Sequence, residues 1–386
     1  MSALLPSEHM RYYIIAGEAS GDLHGSNLIR ALHRQDTATE VRCWGGDLMQ
    51  EAGAVLVKHY RDLAFMGFAE VAMHLRTIFR NLDFCKKDIL AFRPDALVLI
   101  DYPGFNLRIA QWAHEQGLRV IFYISPQVWA WKESRVKLIR ECVDKMLVIL
   151  PFEKAFYEKW DYPVEYVGHP LVEVVREAQR RPAPESLADK PVVALLPGSR
   201  RQEVRKKLPV MLKMAAAFPD YAFVIAQAPS LEDEFLQPFL QGYDNVRCVK
   251  GRTYDLLRQA RAALVTSGTA TLETALFGVP EVVCYKGSPV SYFLARRLIR
   301  VKYISLVNLI MDREVVKELI QYELTPANLQ KELNALLKDE DHIRRLKEDY
   351  HQLWDRLGAG HASEAAAAAI LRYLSESGAG SAVPAG

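Results

Sequence analysis

The sequence is short of the features that mark several protein classes. Its five cysteines, Cys43, Cys85, Cys142, Cys248 and Cys284, stand far apart, with no CxxC pair and no zinc-ligand spacing. That excludes a disulfide scaffold and points to free thiols in a cytosolic chain. No run of about 18 apolar residues occurs, so no helix is expected to span a membrane. Residues 1–9 lack the basic start and apolar core of a secretory leader. Forty-nine Lys+Arg against 47 Asp+Glu leave a formal charge of +2, too small for nucleic acid as the main partner. Neither an Asp-x-Asp metal pair nor a histidine cluster is expected, and no metal or other cofactor is expected.

What is present fits a soluble chain long enough for two ordinary domains: 386 residues, half hydrophobic and a quarter charged. The organising stretch is residues 192–205, VVALLPGSRRQEVR. A short apolar run reads as a buried parallel strand, Pro197-Gly198-Ser199 as a tight turn, and the rest as a helix. Ser199 is placed to cap that helix, and Arg200 and Arg201 stand where a phosphate would sit on its free N–H groups. The same residues also suit an ordinary strand–turn–helix with solvated arginines. Residues 12–26, YYIIAGEASGDLHGS, are built the same way, so the chain starts a βαβ fold twice.

Residues 12–16 read as the first strand, 17–22 (GEASGD) as a loop and 24–34 as a helix. The loop lacks GxGxxG spacing, and Glu18 and Asp22 would repel a phosphate. It reads as lining a substrate cleft, with a glycine-rich turn and a helix-capping acid as the plain alternative. Further strands are expected at 41–46, 95–100, 120–124 and 145–150. Asp101 follows the apolar strand 95–100, at a carboxyl end where α/β sheets bind ligands. It is a candidate general base, or a residue that merely orders the next turn. Residues 125–132, SPQVWAWK, put Trp129 and Trp131 beside Ser125 and Gln127. That suits stacking on a sugar, and equally suits core aromatics.

Residues 66–88 form a helical pattern with Val71, Leu75, Ile78, Phe79 and Leu82 on one stripe. Met66, Phe68, Met73 and His74 add bulk off it, and Arg76 and Arg80 add charge. This is a membrane contact or a helix buried on two sides. Residues 291–302, SYFLARRLIRVK, are basic and amphipathic, which suggests an anionic surface. The charged, proline-containing residues 171–190 read as a linker.

In the second half, strands are expected near 192–196, 222–226, 246–249, 262–266 and 281–285. Ser267-Gly268-Thr269 after one of them forms a second anion site, with Thr269 as the cap. Glu273 lies one turn inside the helix, suited to ribose hydroxyls or simply to the helix dipole. Residues 351–374 read as C-terminal helices that can cross back to the first domain, and 375–386 as a disordered tail.

GEASGD (17–22), MGFAEV (66–71), DYPGFN (101–106), SPQVWAW (125–131), LPFEKAFY (150–157), VGHP (167–170), LLPGSR (195–200), SGTATLE (267–273) and NLI (308–310) stand in one order. Together, from about residue 11 to about 320, they resemble the lipid-A-disaccharide synthases. The resemblance implies an α/β GT-B glycosyltransferase: two Rossmann-like domains with parallel sheets facing across a cleft. It implies an acceptor and catalytic-base domain at 10–170 and a UDP-sugar domain at 171–350.

It implies transfer of 2,3-diacylglucosamine from UDP to 2,3-diacylglucosamine 1-phosphate. The β(1→6) bond would form with inversion, without a metal, at the cytoplasmic face of the inner membrane. Both acylated substrates and an anionic membrane surface would then be its partners. By the same resemblance Asp101 is the general base and Glu18 an acid of the substrate cleft. Gly198, Ser199, Arg200, Ser267, Gly268, Thr269 and Glu273 would hold UDP, and Ser20, Ser125, Gln127, Trp129 and Asn308 would face substrate. Two departures stand out: Gly104 where an Asp is frequent, so no carboxylate pair at 101 and 104 carries over, and Val307 where a proline is common. Another UDP-N-acetylglucosamine transferase, a UDP-sugar 2-epimerase and a non-catalytic nucleotide binder are the rival readings.

Overall fold

The computed structural model describes residues 9–63, 75–289, 292–293, 297, 301–358 and 360–379. These fall into two compact units, one within Met1–Pro170 and His361–Gly386, the other within Leu171–Gly360.

In the first unit seven parallel strands run β3-β2-β1-β4-β5-β6-β7 across the sheet. They are β1 (Arg11–Ala16), β2 (Glu40–Gly45), β3 (Val55–His59), β4 (Ala96–Ile100), β5 (Val120–Tyr123), β6 (Lys145–Val148) and β7 (Glu165–Tyr166). The helices between them are α1 (Ala19–Gln35), α2 (Asp47–Glu51), α3 (Leu75–Phe92), α4 (Pro103–Glu115), α5 (Arg135–Cys142) and α6 (Glu153–Glu158). Every residue of β4 is buried, as a parallel strand covered on both faces requires. One face of the sheet and the helices on it enclose a core that includes Tyr13, Trp44, Leu99, Phe105, Phe122 and Tyr157.

The second unit opens with α7 (Pro170–Arg180) and carries a six-stranded parallel sheet ordered β10-β9-β8-β11-β12-β13. Its strands are β8 (Val192–Leu196), β9 (Ala222–Gln227), β10 (Val246–Lys250), β11 (Ala260–Thr266), β12 (Glu281–Tyr285) and β13 (Lys317–Ile320). Its helices are α8 (Arg201–Ala217), α9 (Asp233–Leu240), α10 (Thr253–Leu257), α11 (Thr269–Leu276), α12 (Leu306–Met311), α13 (Pro326–Lys338) and α14 (Glu340–Leu357). The last helix, α15 (Ala362–Ala379), belongs to the first unit and packs on α1, with Arg34 3.3 Å from Glu364.

Several sequence expectations shift. The GEASGD stretch is not a loop through residue 22: α1 begins at Ala19, so Ser20, Gly21 and Asp22 form its first turn. Residues 171–190 are not all linker, because α7 covers the first part. Its buried stripe, Leu171, Val172, Val175 and Ala178, was hidden among charges. Residues 375–379, expected in the tail, continue α15. The chain's one Asp-x-Asp spacing, Asp339 and Asp341, opens α14, where Asp339 caps the helix by accepting from the His342 amide.

The stripe assigned to 66–88 holds in part. Ile78 and Leu82 pack on the core, but Phe79 is 57% exposed. Met66, Phe68, Val71, Met73 and His74 lie outside the described residues, as does most of 291–302. Within that basic run Phe293 is exposed, with the Arg297 guanidinium 4.1 Å above its ring.

Candidate active site

Each sheet reverses its strand order once, and Glu18, Asp101, Arg200 and the turn 267–269 lie beside those two points. In the first unit the reversal lies between β1 and β4, which pair in register up to Ala16 and Ile100. Chains leaving the carboxyl ends of two such strands diverge to opposite faces and leave a crevice, the usual ligand position in an open α/β sheet. Glu18 leaves β1, Asp101 leaves β4, Ser125 follows β5 and Glu153 follows β6.

The turn after β4 is held in an unusual conformation. Asp101 and Tyr102 both adopt left-handed backbone angles, with φ of 44° and 51°. Two consecutive non-glycine residues in that region cost roughly 1–3 kcal/mol each. The surroundings hold them there. The buried Asn106 amide donates to the carbonyls of Asp101 at 2.8 Å and Ile100 at 3.2 Å, and the Asp101 N–H donates to Ile124. The turn lays the Tyr102 ring on Gly17, where a Cβ would fall 2.3 Å from the ring. That contact explains why residue 17 is a glycine.

Asp101 is half-buried beside Glu18. Burial, and then repulsion from Glu18, push its carboxyl up to about 6. The same two causes raise the Tyr102 phenol. A carboxylate near 6 is still ionised at neutral pH and is a stronger base than an ordinary aspartate. Glu18 occupies the N-cap position of α1 without capping it, and Glu18 and Ser20 are exposed. Asp22, by contrast, is buried and accepts from the amides of Gly46, Leu48 and Met49. It fastens α1 to the start of α2 and has no free face for a ligand.

The loop after β5 rests on an acid that the sequence reading passed over. Glu153 is wholly buried and accepts from the Ile149 and Leu150 amides at 3.2 and 2.9 Å. Burial pushes its carboxyl up to about 7, with those amides, Trp129 and Ser125 pulling it back. Ser125 is buried and 2.6 Å from the Tyr157 hydroxyl, so its side chain is engaged inside the protein. Trp129 packs edge-on against Phe152, centroids 4.9 Å apart. Gln127 is exposed. A glutamate inside an apolar-aromatic motif such as LPFEKAFY was the available signal for Glu153.

In the second unit the reversal lies between β8 and β11, paired up to Leu196 and Val265. The turns 197–200 and 267–269 therefore stand side by side. Gly198 has φ of 113°, and a Cβ there would meet the Glu203 carboxylate at 2.5 Å. Ser199 does not cap α8: the N-cap is Arg200, and no side chain caps it. Thr269 does not cap α11 either, since Gly268, with φ of 138°, holds that position and Thr269 is the first helical residue. Both helix starts thus present amides with no intrahelical partner toward the same edge.

A polar chain links the two turns. Arg200 lies 3.5 Å from Glu203, Glu203 lies 3.7 Å from Lys207, and Lys207 donates to the Thr266 hydroxyl. Lys207 is buried, and burial lowers its ammonium from the ordinary lysine range. It was not foreseen, because a lysine on an amphipathic helix reads as solvated. Ser267 donates to the Ile304 carbonyl at 3.0 Å. Glu273 accepts from the Tyr254 hydroxyl at 2.7 Å, and burial raises its carboxyl.

Asn308 has a different place from the one expected of a substrate contact. It is wholly buried, its oxygen accepts from the Val315 and Val316 amides, and its amide donates to the Val316 carbonyl and to Glu318. Glu318 also accepts from the Ile304 and Ser305 amides. Asn308 therefore ties the segment reaching Ser267 to β13, and all its polar atoms are used inside the fold.

Among solved structures, the fold is similar to a UDP-N-acetylglucosamine 2-epimerase from Listeria monocytogenes, described as putative. The TM-score is 0.68 at 15% identity over 95% of this chain and 97% of that one. It is also similar to the calicheamicin glycosyltransferase CalG4, with a TM-score of 0.62 at 19% identity over 96% and 99%. At such identities the likeness is one of fold, the two-sheet α/β fold of GT-B enzymes. Sequence relatives are much nearer. The lipid-A-disaccharide synthase of Syntrophus aciditrophicus is 41% identical over 376 residues, covering 94% of this chain and 98% of its own. That of Trichlorobacter lovleyi is 40% identical over 376 residues, covering 95% and 98%. The family profile described as lipid-A-disaccharide synthetase matches residues 12–372. The chain therefore belongs to the lipid-A-disaccharide synthetase family, glycosyltransferases of lipid A biosynthesis.

Proposed function

We propose that this chain transfers 2,3-diacylglucosamine from its UDP carrier to the 6-hydroxyl of 2,3-diacylglucosamine 1-phosphate, with inversion at the anomeric carbon. The observation that carries the reading is the raised, half-buried carboxyl of Asp101 on a strained turn at a sheet reversal. Asp101 takes the proton from the acceptor hydroxyl as its oxygen bonds to donor C1. The bond from C1 to the UDP oxygen breaks on the opposite face, which gives the β product.

The negative charge that develops on the diphosphate is met in the second unit by Arg200, the Gly198–Ser199 backbone and the amides at the start of α11 beside Gly268 and Thr269. Lys207 and Glu203 orient Arg200. Glu273, with Tyr254, takes the ribose. Ser267 and Asn308 act by shaping that edge. In the first unit Glu18, Ser20, Gln127 and Trp129 line the acceptor side, and Ser125 fixes their loop. Peripheral attachment to the cytoplasmic face of the inner membrane goes with acylated substrates. Among the described residues no helix is long and apolar enough to cross a membrane.

The test is mass spectrometry of the products formed from UDP-2,3-diacylglucosamine and 2,3-diacylglucosamine 1-phosphate. A tetraacyl disaccharide 1-phosphate plus stoichiometric UDP is expected. UDP-sugar conversion that proceeds without the acceptor would replace this reading with an epimerase.

A further inference from the structure

Two cations lie over one tryptophan on the loop that follows β5, and a third stands near one of them. The Lys132 ammonium lies 4.5 Å from the centre of the Trp131 ring and the Arg135 guanidinium 5.5 Å from it. Arg108 stands on α4, which packs against α5, the helix that Arg135 begins, and its charge opposes that of Arg135. Among the described residues none of the three has a carboxylate within 4 Å. The acid in the same turn, Glu133, is occupied by the Trp160 indole at 3.2 Å. Trp131 is itself 41% exposed.

Like charges gathered without a counter-ion raise the energy of the unliganded state, and an anion among them removes that cost. Guanidinium groups bind phosphate oxygens by paired N–H donors, and an ammonium binds them as a compact point charge. The cluster also has a position. Its loop starts at Ile124, whose carbonyl accepts from the Asp101 amide at 3.3 Å. Gly104, one helical turn before Arg108 on α4, has nothing within 4 Å of where its Cβ would be, so the space above that helix start is open.

We propose that Lys132 and Arg135, which lie over Trp131, together with Arg108 on the helix packed beside Arg135, form the subsite for the anomeric phosphate of the acceptor sugar. The inference rests on the proposed function and adds to it a determinant of acceptor choice. The phosphate is recognised at one end of the acceptor ring while the 6-hydroxyl at the other end is left for Asp101.

The full chain is to be assayed with two acceptors, 2,3-diacylglucosamine 1-phosphate and its dephosphorylated counterpart, in wild type and in Arg108→Ala/Arg135→Ala. Losing charge-assisted phosphate contacts should lower kcat/KM for the phosphorylated acceptor by about 10- to 100-fold. The preference of wild type for that acceptor should collapse toward one. A preference that survives in the double variant overturns the proposal. So does an equal fall for both acceptors, which would mark the cluster as a bilayer contact instead. Calorimetry with glucosamine 1-phosphate and glucosamine separates this from a failure of the functional reading. If wild type makes no disaccharide yet binds the phosphate ester more tightly, and the variant does not, the subsite stands. Equal binding of the two sugars removes it. Arg135→Gln, which keeps the side-chain bulk, controls for folding and should show the same loss of preference.

Discussion

The carboxyls of Glu18 and Asp101 are neighbours across the reversal point of the first sheet, close enough that Glu18 raises the proton affinity of Asp101. The pair exists because β1 and β4 are adjacent and in register, so the residues just past their ends meet. Burial supplies the larger part of the effect and the second carboxylate the rest.

Asp101→Asn should lower kcat by about 10²–10⁴ while UDP still binds, the usual loss with a general base. A variant keeping a third of wild-type kcat removes the role. The pH profile gives a second readout. Asp101 holds its proton below about 6, so kcat/KM should fall as pH drops through that value. Glu18→Gln removes the repulsion and should shift this acid limb to lower pH. An unmoved limb means another group sets it.

Arg200→Ala should weaken UDP and donor by about 10- to 100-fold, the loss of a charge-assisted phosphate contact. Acceptor binding should change less. Calorimetry with UDP decides, and unchanged affinity would place the diphosphate elsewhere. Lys207→Met should act in the same direction through Glu203 and Arg200.

Glu153 makes stability depend on pH with a definite sign. Its carboxyl is raised from 4.5 to about 7 in the folded protein, so the fold favours the protonated form. That stabilisation is complete below 4.5 and is lost as pH rises through about 7. Glu153→Gln keeps an oxygen for the Ile149 and Leu150 amides but cannot ionise. Denaturation curves across this window should show wild type losing up to about 1.4 kcal/mol per pH unit relative to the variant. Parallel pH dependence would mean that Glu153 is charged throughout.

We propose the exposed face of α3 as a membrane contact. Phe79 and Phe84 are 57% and 47% exposed, and Arg76, Arg80 and Lys87, with one acid, Asp83, surround them. Each cation near an anionic leaflet gains about 1 kcal/mol, and the gain falls with salt. Phe79→Asp with Arg76→Glu should reduce flotation with anionic vesicles while far-UV circular dichroism and Tm stay near wild type. Equal flotation rules this face out.

The sequence by itself determined the fold class, because buried parallel strands need continuous apolar runs. Ala96–Ile100 and Val192–Leu196 are such runs and could be read directly. It marked the turns that matter too, since Gly198 and Gly268 adopt angles that side chains resist. The edge strands β3, β7 and β13 escaped: they are short and carry charged residues such as Lys58, Glu165 and Lys317. The sequence named Asp101, Glu18 and Arg200 as separate points along the chain. Only the tertiary structure decided which of them share an edge, because strand order, not chain order, brings carboxyl ends together. It alone revealed Glu153 and Lys207, whose roles come from burial that local pattern does not report. It showed the polar atoms of Asp22, Ser125 and Asn308 engaged inside the fold, by partners up to 32 residues away.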